Sequence, residues 1–280
     1  MLRRPAPVTD LRATGSLMRI ELHWTPQDWS TPVDHHRVHA LPTDQVTHRF
    51  LRHPGEDTLV ARTIYPRFTH DRLNPAGQAW TYVVVTVDAA GQRSRPSAPA
   101  RATSTRSVTT GRPVATLGSF DRKSLELRFA PAGYKKIPTA HPDGVITLGP
   151  QDGTAQLPYL LPGPGDRWAG SRAYSLRWTP AVESAPARPA LALWGIDTTR
   201  LGGRLEAQIG DWSHAFDLPK GATKGSRTGD ATVEDSPLHP VELELELPAT
   251  ALSAAAPTLE LTLAEGGWVA WDAIGLFELG

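Results

Sequence analysis

Seven side chains between residues 159 and 212 are of the types that proteins use to hold sugars. Pyranose rings pack their C–H faces on aromatic rings, while sugar hydroxyls and uronate carboxylates exchange hydrogen bonds with Arg and Asp side chains. Sequence alone leaves open whether the aromatic members face a sugar, a neighbouring domain or their own core. The candidates for carbohydrate binding are Tyr159, Asp166, Arg167, Trp168 and Arg172 in one loop rich in Pro and Gly, and Asp211 and Trp212 in a second loop.

Histidines are the first candidates for catalysis, because lyase chemistry on a uronide needs a base at the sugar C5 proton. The histidine cluster of this sequence is His35, His36 and His39. On a strand, His36 faces away from the other two, and His35 and His39 lie ~13 Å apart, too far for one metal ion. The prediction for this cluster is ordinary strand surface.

Carboxylates give no defined catalytic pair either. A glycosidase needs two carboxyl groups ~5–9.5 Å apart at a cleft, and sequence spacing does not place Asp166, Asp211 and Asp272 together. The sequence therefore predicts no catalytic residue and no metal site in this chain. No cofactor is predicted, although Asp121 and Asp272 remain possible oxygen ligands for a structural calcium ion.

The run VELELELP at residues 241–248 places carboxylates on one face of a strand and leucines on the other. Glu242, Glu244 and Glu246 follow one another at ~6.6–7 Å, so they cannot converge on one cation. A solvated outer face is the prediction for these glutamates.

Composition excludes several classes of partner. The 280 residues carry a formal net charge of +0, so neither nucleic acid nor an anionic membrane is predicted as a partner. No apolar run is long enough to span a bilayer. The start, MLRRPAPVTD, lacks the apolar segment of a signal peptide, so an extracellular location is expected only within an exported parent chain. Cysteine is absent, which excludes disulfides, and scarce lysine beside abundant Arg, Ala and Pro is typical of a GC-rich bacterial gene.

Short alternating strands separated by turn residues fill the first hundred residues and predict a β-sandwich. The strand MRIELHW places four apolar side chains, Trp24 among them, on one face. With PVTDLRA, LHWTP and LNPAGQAWTYVVVTVDAAGQRSRPSAP, this pattern resembles a fibronectin type III domain over residues 6–100. One departure is visible at Trp80, which follows the Leu-x-Pro corner where the family keeps a tyrosine.

A second run of alternating strands begins after a small, polar and basic stretch. SLELRFA, AYSLRWTP, RLEAQIG and WVAWDAIGLFEL are among about ten predicted strands, and they favour a two-sheet jelly roll. The predicted fold class is therefore all-β, with a fibronectin type III-like domain over residues 1–105, a linker over 106–113 and a jelly-roll, carbohydrate-binding-like domain over 114–280.

Four tracts of the second module carry a further resemblance. They are TLGSFDRKSLE, PGPGDRWAGSRAYSLRW, RLEAQIGDW and the ending VELELELPATALSAAAPTLELTLAEGGWVAWDAIGLFEL, with Trp271 in an aromatic position. The module is similar to the carbohydrate-binding-like jelly roll of rhamnogalacturonan lyases (polysaccharide lyase family 4). The order of the two modules also matches domains two and three of those lyases. In that family the chemistry resides in a large N-terminal β domain, to which no part of this sequence corresponds.

The resemblance implies a non-catalytic accessory region of a polysaccharide-degrading enzyme. Its expected partners are an acidic, plant-type polysaccharide and the catalytic domain of a parent enzyme. Two alternatives stay open. Both modules could be purely structural and pack on such a catalytic domain, in which case Trp168 and Trp212 should be buried, or a cleft could carry an unrecognised lyase or hydrolase site.

Overall fold

The computed structural model describes residues 4–27, 32–253 and 256–280, so the first three residues of the basic start lie outside the described part. The chain divides into two compact units, unit 1 over Met1–Ser107 and unit 2 over Val108–Gly280. Nearly all regular structure is β-strand, arranged in sheets that form sandwiches, and the all-β prediction is confirmed. No helix in the described ranges is long and apolar enough to cross a bilayer.

Unit 1 has a fibronectin/Ig-like fold. One sheet has the order β1-β2-β5 and the other the order β4-β3-β6-β7, with antiparallel pairing throughout. A helix and two 3-10 turns separate β3 from β4. The elements are β1 (Arg12–Ser16), β2 (Arg19–His23), β3 (Val33–Pro42), a 3-10 turn (Thr43–Gln45), α1 (His48–Arg52), a second 3-10 turn (Glu56–Thr58), β4 (Leu59–Thr63), β5 (Arg67–His70), β6 (Ala79–Asp88) and β7 (Ala100–Thr103).

The core of unit 1 follows the predicted alternation, with Trp24 buried between the sheets. His36 lies on the same face of β3 as Val38 and packs the edge of its ring against Trp24, with 5.4 Å between centroids. His39, on the opposite face, is also buried. The prediction of ordinary strand surface for the histidine cluster is therefore wrong for these two, because both faces of β3 are covered. Trp80, which stands near the position of the family's corner tyrosine, makes no hydrogen bond through its indole: its Nε1 has no partner among the described residues.

Unit 2 is a sandwich of two five-stranded sheets. One sheet has the order β10-β17-β12-β15 with β8 also paired to β17, and the other has the order β14-β13-β16-β11-β9. The elements are a 3-10 turn (Val108–Thr110), β8 (Arg112–Leu117), α2 (Lys136–Ala140), β9 (Val145–Leu148), a 3-10 turn (Thr154–Gln156), β10 (Leu160–Pro162), a 3-10 turn (Arg167–Ala169), β11 (Ser175–Trp178), β12 (Pro189–Thr198), β13 (Gly203–Ile209), β14 (Trp212–Leu218), β15 (Val241–Glu246), β16 (Leu259–Gly266) and β17 (Trp268–Glu278).

Two stretches differ from the sequence prediction. The predicted linker over 106–113 contains a 3-10 turn and the first two residues of β8, which pair with the end of β17. SLELRFA does not form the predicted strand. Its backbone closes local turns instead, with Leu127 N donating to Ser124 O and Ala130 N to Leu127 O, and Leu125 is exposed. Pro131 follows at once, and a proline cannot donate to a ladder.

The glutamates of β15 also depart from the predicted solvated face. Glu242 pairs with Arg122 at 3.1 Å, and its side chain is only 5% exposed. Glu244 accepts hydrogen bonds from Trp194 Nε1 and Val108 N, both at 2.8 Å. The prediction holds only for Glu246, which is exposed. Trp194 and the segment entering β8 contact this face of the strand. Glu242 and Glu244 therefore bind other parts of unit 2 and do not face solvent.

Candidate sugar-binding site

Trp168 exposes 76% of its surface, the largest fraction among the bulky apolar side chains that the structure describes. It sits on the 3-10 turn Arg167–Ala169, which Asp166 caps by accepting a hydrogen bond from Trp168 N at 2.9 Å. Gly170 ends the turn at a φ of 85°, a conformation that glycine adopts without strain. Trp168 is therefore not a plug for the core of unit 2, and its indole is available to a ligand.

The loop before this turn is fixed to the sheet. Leu160–Pro162 forms the short strand β10 against β17, and Pro162 is tolerated because β10 is an edge strand. Gly163 N and Gly165 N then donate to Gly267 O and Gly266 O at 2.6 and 2.7 Å. A Cβ at Gly163 would lie 2.7 Å from a Leu263 methyl carbon, so the close approach requires glycine. The loop that presents Trp168 is thus rigidly placed.

A cavity of about 680 Å³ opens beside Trp168. Buried Trp268 lies in its lining, and the other walls come from α2 with the residues before it and from the segment 223–227. Four cationic side chains line it, and they include three of the five lysines in the whole sequence. They are Lys135, Lys136, Lys224 and Arg227. The sequence prediction missed all four, although the scarcity of lysine was a signal that its few positions have a role.

Asp166 supplies the acidic group of this lining. Its Oδ2 accepts a 2.5 Å hydrogen bond from the hydroxyl of Tyr134, and its Oδ1 is used by the turn. Burial and the adjacent Asp166 carboxylate raise the pKa of Tyr134 well above its ordinary value, so the tyrosine stays a donor. Asp166 is therefore a support for the loop, and the cavity presents a positive surface. Lys135 Nζ lies 5.6 Å from the centre of the Trp168 ring.

Tyr159, also predicted to bind carbohydrate, is fully buried in the core of unit 2. Its hydroxyl donates to Ser226 O at 2.9 Å, and burial raises its pKa to about 12. A sugar cannot reach this ring. Tyr159 holds the segment that carries Lys224 and Arg227, so its contribution to the cavity is indirect.

The remaining predicted residues do not converge on one place. Arg167 is exposed beside Trp168. The Arg172 guanidinium instead donates a hydrogen bond to Pro142 O and lies 5.3 Å from the centre of the Tyr174 ring. Asp211 and Trp212 line a separate cavity at the other end of the second sheet. Trp212 is half-buried against the core. The structure thus groups Asp166 and Trp168 with the missed cations and leaves the second loop apart.

The two possible calcium ligands lie side by side in unit 2. Asp121 Oδ1 and Asp272 Oδ1 both accept the backbone N–H of Lys123 at 3.0 Å. Across the described ranges, no three His, Cys, Asp or Glu side chains are grouped so as to hold a metal ion. Asp272 is fully buried, and its Oδ2 has no partner among the described residues. Desolvation raises the pKa of Asp272 to about 8.

This buried carboxyl gives a testable pH dependence. A folded-state pKa above the unfolded value means that the native state keeps a proton which the unfolded chain has lost. The contribution of Asp272 to the free energy of unfolding should therefore fall as the pH rises from about 4 to about 8, by at most about 1.4 kcal/mol per pH unit. Asp272→Asn should flatten this slope and raise stability near neutral pH, as denaturant unfolding across that range would measure. A difference in free energy of unfolding between the wild type and Asp272→Asn that stays constant through this window would contradict the assignment.

Solved structures match this chain only at low sequence identity and low TM-score. No protein-family model matches the sequence, and no curated protein does. Titin module A71 from human cardiac muscle is 15% identical with a TM-score of 0.28, over 35% of this chain and 89% of the module. Pectate lyase Pel3 from Pectobacterium carotovorum is 15% identical with a TM-score of 0.25, over 50% of this chain and 33% of the lyase. Streptomyces avermitilis α-L-rhamnosidase, complexed with L-rhamnose, is 14% identical with a TM-score of 0.25, over 99% of this chain and 23% of the enzyme.

The chain thus spans a third or less of the length of these two enzymes. No residue role is transferred from any of the three.

Proposed function

We propose that this chain is a non-catalytic accessory region that binds an acidic polysaccharide through unit 2. The observation that carries the proposal is the exposed indole of Trp168 at the rim of a cavity lined by three of the five lysines. A pyranose face stacks on the indole, and the uronate carboxylate pairs with the lysines and Arg227. A catalytic domain in a parent enzyme and an extracellular, plant-derived substrate complete the proposal.

The charge of the lining selects the class of glycan. A neutral sugar takes only hydrogen bonds from the four cations, whereas each uronate carboxylate also neutralises the charge of one of them. Oligogalacturonate and rhamnogalacturonan are therefore the expected ligands, and neutral galactan is the expected non-ligand. Affinity gel electrophoresis and calorimetry with these three polymers test the proposal. Equal retention by galactan, or no retention by either acidic polymer, would overturn it.

Removal of the lysines should weaken binding without unfolding the unit. The double variant Lys135→Gln/Lys224→Gln should lose about tenfold in affinity for oligogalacturonate, because two charge-assisted contacts disappear. The wild type should also bind more weakly as salt increases, and the variant should show a smaller salt effect. Lys220→Gln is the matched control, since that lysine is exposed and does not line the cavity. Similar losses for Lys220 and for the double variant would contradict the placement of the site.

A further inference from the structure

The connection between β3 and β4 in unit 1 is long enough to fold over a sheet face. Residues 43–58 contain α1, capped by Thr47, and are fixed at both ends: Thr43 Oγ1 contacts Thr81 Oγ1 on β6, and Thr58 Oγ1 contacts His39 Nδ1 on β3, each at 3.1 Å. Val38 faces the core between the sheets, so its neighbour Arg37 must face this connection. As a result Arg37 is only 4% exposed on what would otherwise be the solvated face of the sandwich.

A cavity of about 450 Å³ lies beneath this connection. Four guanidinium groups line it, and no Asp or Glu is among its described lining residues. They come from four separate segments of unit 1, since two belong to β3 and α1 and the others to the N-terminal segment and the turn after β6. The four are Arg4, Arg37, Arg52 and Arg93.

One carboxylate faces this group of arginines. Glu56 accepts hydrogen bonds from Arg37 at 2.5 Å and from Arg93 at 3.3 Å, and Arg62 approaches it to 3.9 Å from outside the cavity. The hydrogen bond from Arg37 lowers the pKa of Glu56, so this carboxyl is ionised at neutral pH. The Glu56 side chain is 62% exposed, and a single negative charge leaves most of the positive charge of the lining without a counterion.

In the described part of the chain, the Arg37 side chain also lacks a partner for one of its hydrogen-bond donors. Its Nε is buried and has no hydrogen-bond partner among the described residues. A guanidinium taken out of water is costly unless its donors are paired. Since Glu56 is bonded to Nη2, Nε stays without a hydrogen-bond partner in the described ranges, and it belongs to a residue that lines a cavity large enough for a small ligand.

We propose that this cavity is a binding site for a doubly charged tetrahedral oxyanion: phosphate or sulfate as the free ion, or a phosphate monoester. Four arginines less one carboxylate leave an excess of three positive charges in the lining, and a dianion matches this better than a single carboxylate. Guanidinium donors are arranged to bind the oxygens of phosphate in pairs. The site is in unit 1 and is independent of the polysaccharide site proposed for unit 2.

The neutral groups of the lining are compatible with such an anion. Gln92 offers an amide donor. Burial and the nearby Arg37 lower the pKa of His39 to about 4, so its imidazole is neutral and the positive charge of the lining belongs to the arginines. The oxyanion would thus be held by arginines that the fold already brings together.

Calorimetry with inorganic phosphate and inorganic sulfate tests the proposal, on the full chain in the Lys135→Gln/Lys224→Gln background that removes two of the four cations from the cavity of unit 2. One equivalent of either anion should bind. Arg93→Gln and Arg52→Gln should each weaken binding by about tenfold. Arg62→Gln is the matched control, since this arginine also faces Glu56 but does not line the cavity, and it should change affinity by less than about twofold.

Three outcomes would overturn the proposal: no binding of either anion, binding unchanged in both arginine variants, or monovalent galacturonate binding as tightly as phosphate. A sugar phosphate then identifies the source of the anion. Tighter binding of a monoester than of the free ion assigns the site to an esterified ligand, and the reverse assigns it to the inorganic ion. Loss of polysaccharide binding in Trp168→Ala with phosphate binding retained would separate this site from that of unit 2.

Discussion

Alanine in place of Trp168 is expected to weaken binding of oligogalacturonate by about 30- to 100-fold, or about 2–3 kcal/mol, because the stacking surface for the sugar disappears. The free energy of unfolding should change by less than about 1 kcal/mol, since the indole is 76% exposed and its main contact is the cation–π pair with Lys135. Calorimetric titration and denaturant unfolding of the same preparations measure both quantities. Trp168→Phe should retain part of the affinity, because a smaller ring still offers a face.

Trp212→Ala is the control that separates the two predicted aromatics. Trp212 is half-buried, packs against the core of unit 2 and stacks on His214 with 6.3 Å between ring centroids. Its truncation should therefore cost about 2 kcal/mol of stability and leave affinity unchanged. If Trp168→Ala binds oligogalacturonate as the wild type does, the exposed indole is not a sugar platform.

Alternation of apolar residues was a good guide to strands because it reports a backbone with one covered face. RLEAQI became β13 with strict alternation of buried and half-buried or exposed residues. SLELRFA has the same pattern and forms turns, since the pattern does not encode whether a sheet edge is free to receive the segment. VELELE became β15, but two of its three carboxylates were wrongly assigned to solvent, because the residues that contact Glu244, Trp194 and Val108, are remote in sequence.

The candidate site was only half predictable for a related reason. Exposure of Trp168 depends on the short turn that Asp166 caps, and its local sequence contains the signal for that turn. The cations come from Lys135 and Lys136 on one segment and from Lys224 and Arg227 on another, and only the fold brings these segments together. Tyr159 was misread because a loop aromatic and a core aromatic have the same local sequence pattern. In unit 1, burial of Arg37 depends on a connection whose path the sequence does not reveal.

Loss of the Asp197 carboxylate is expected to give the largest change in stability. Asp197 is fully buried on β12, and its two oxygens accept backbone N–H groups from Ala222 at 2.7 Å, Lys224 at 2.6 Å and Gly225 at 2.8 Å. Asp197→Ala removes the acceptor of these three donors, one of them buried and two part-buried, so it should cost about 4 kcal/mol. For a unit of this size the melting temperature should fall by about 8–16 °C. Calorimetric or denaturant unfolding measures the loss.

The same change should also reach the sugar site, because the three donors belong to the segment that presents Lys224 and Arg227. Asp197→Asn has nearly the same shape but keeps one acceptor oxygen and turns an amide NH₂ group toward backbone donors, so it should cost about 2 kcal/mol and still weaken oligogalacturonate binding. Asp217→Ala is the control, since that carboxylate is exposed on β14, and it should stay within about 0.5 kcal/mol of the wild type. A cost below about 1 kcal/mol for Asp197→Ala would show that the segment is held by other contacts, such as the hydrogen bond from Tyr159 to Ser226. Asp197 holds the segment that carries Lys224 and Arg227, so its substitution should lower both stability and affinity. Substitution of Trp168 should lower affinity alone.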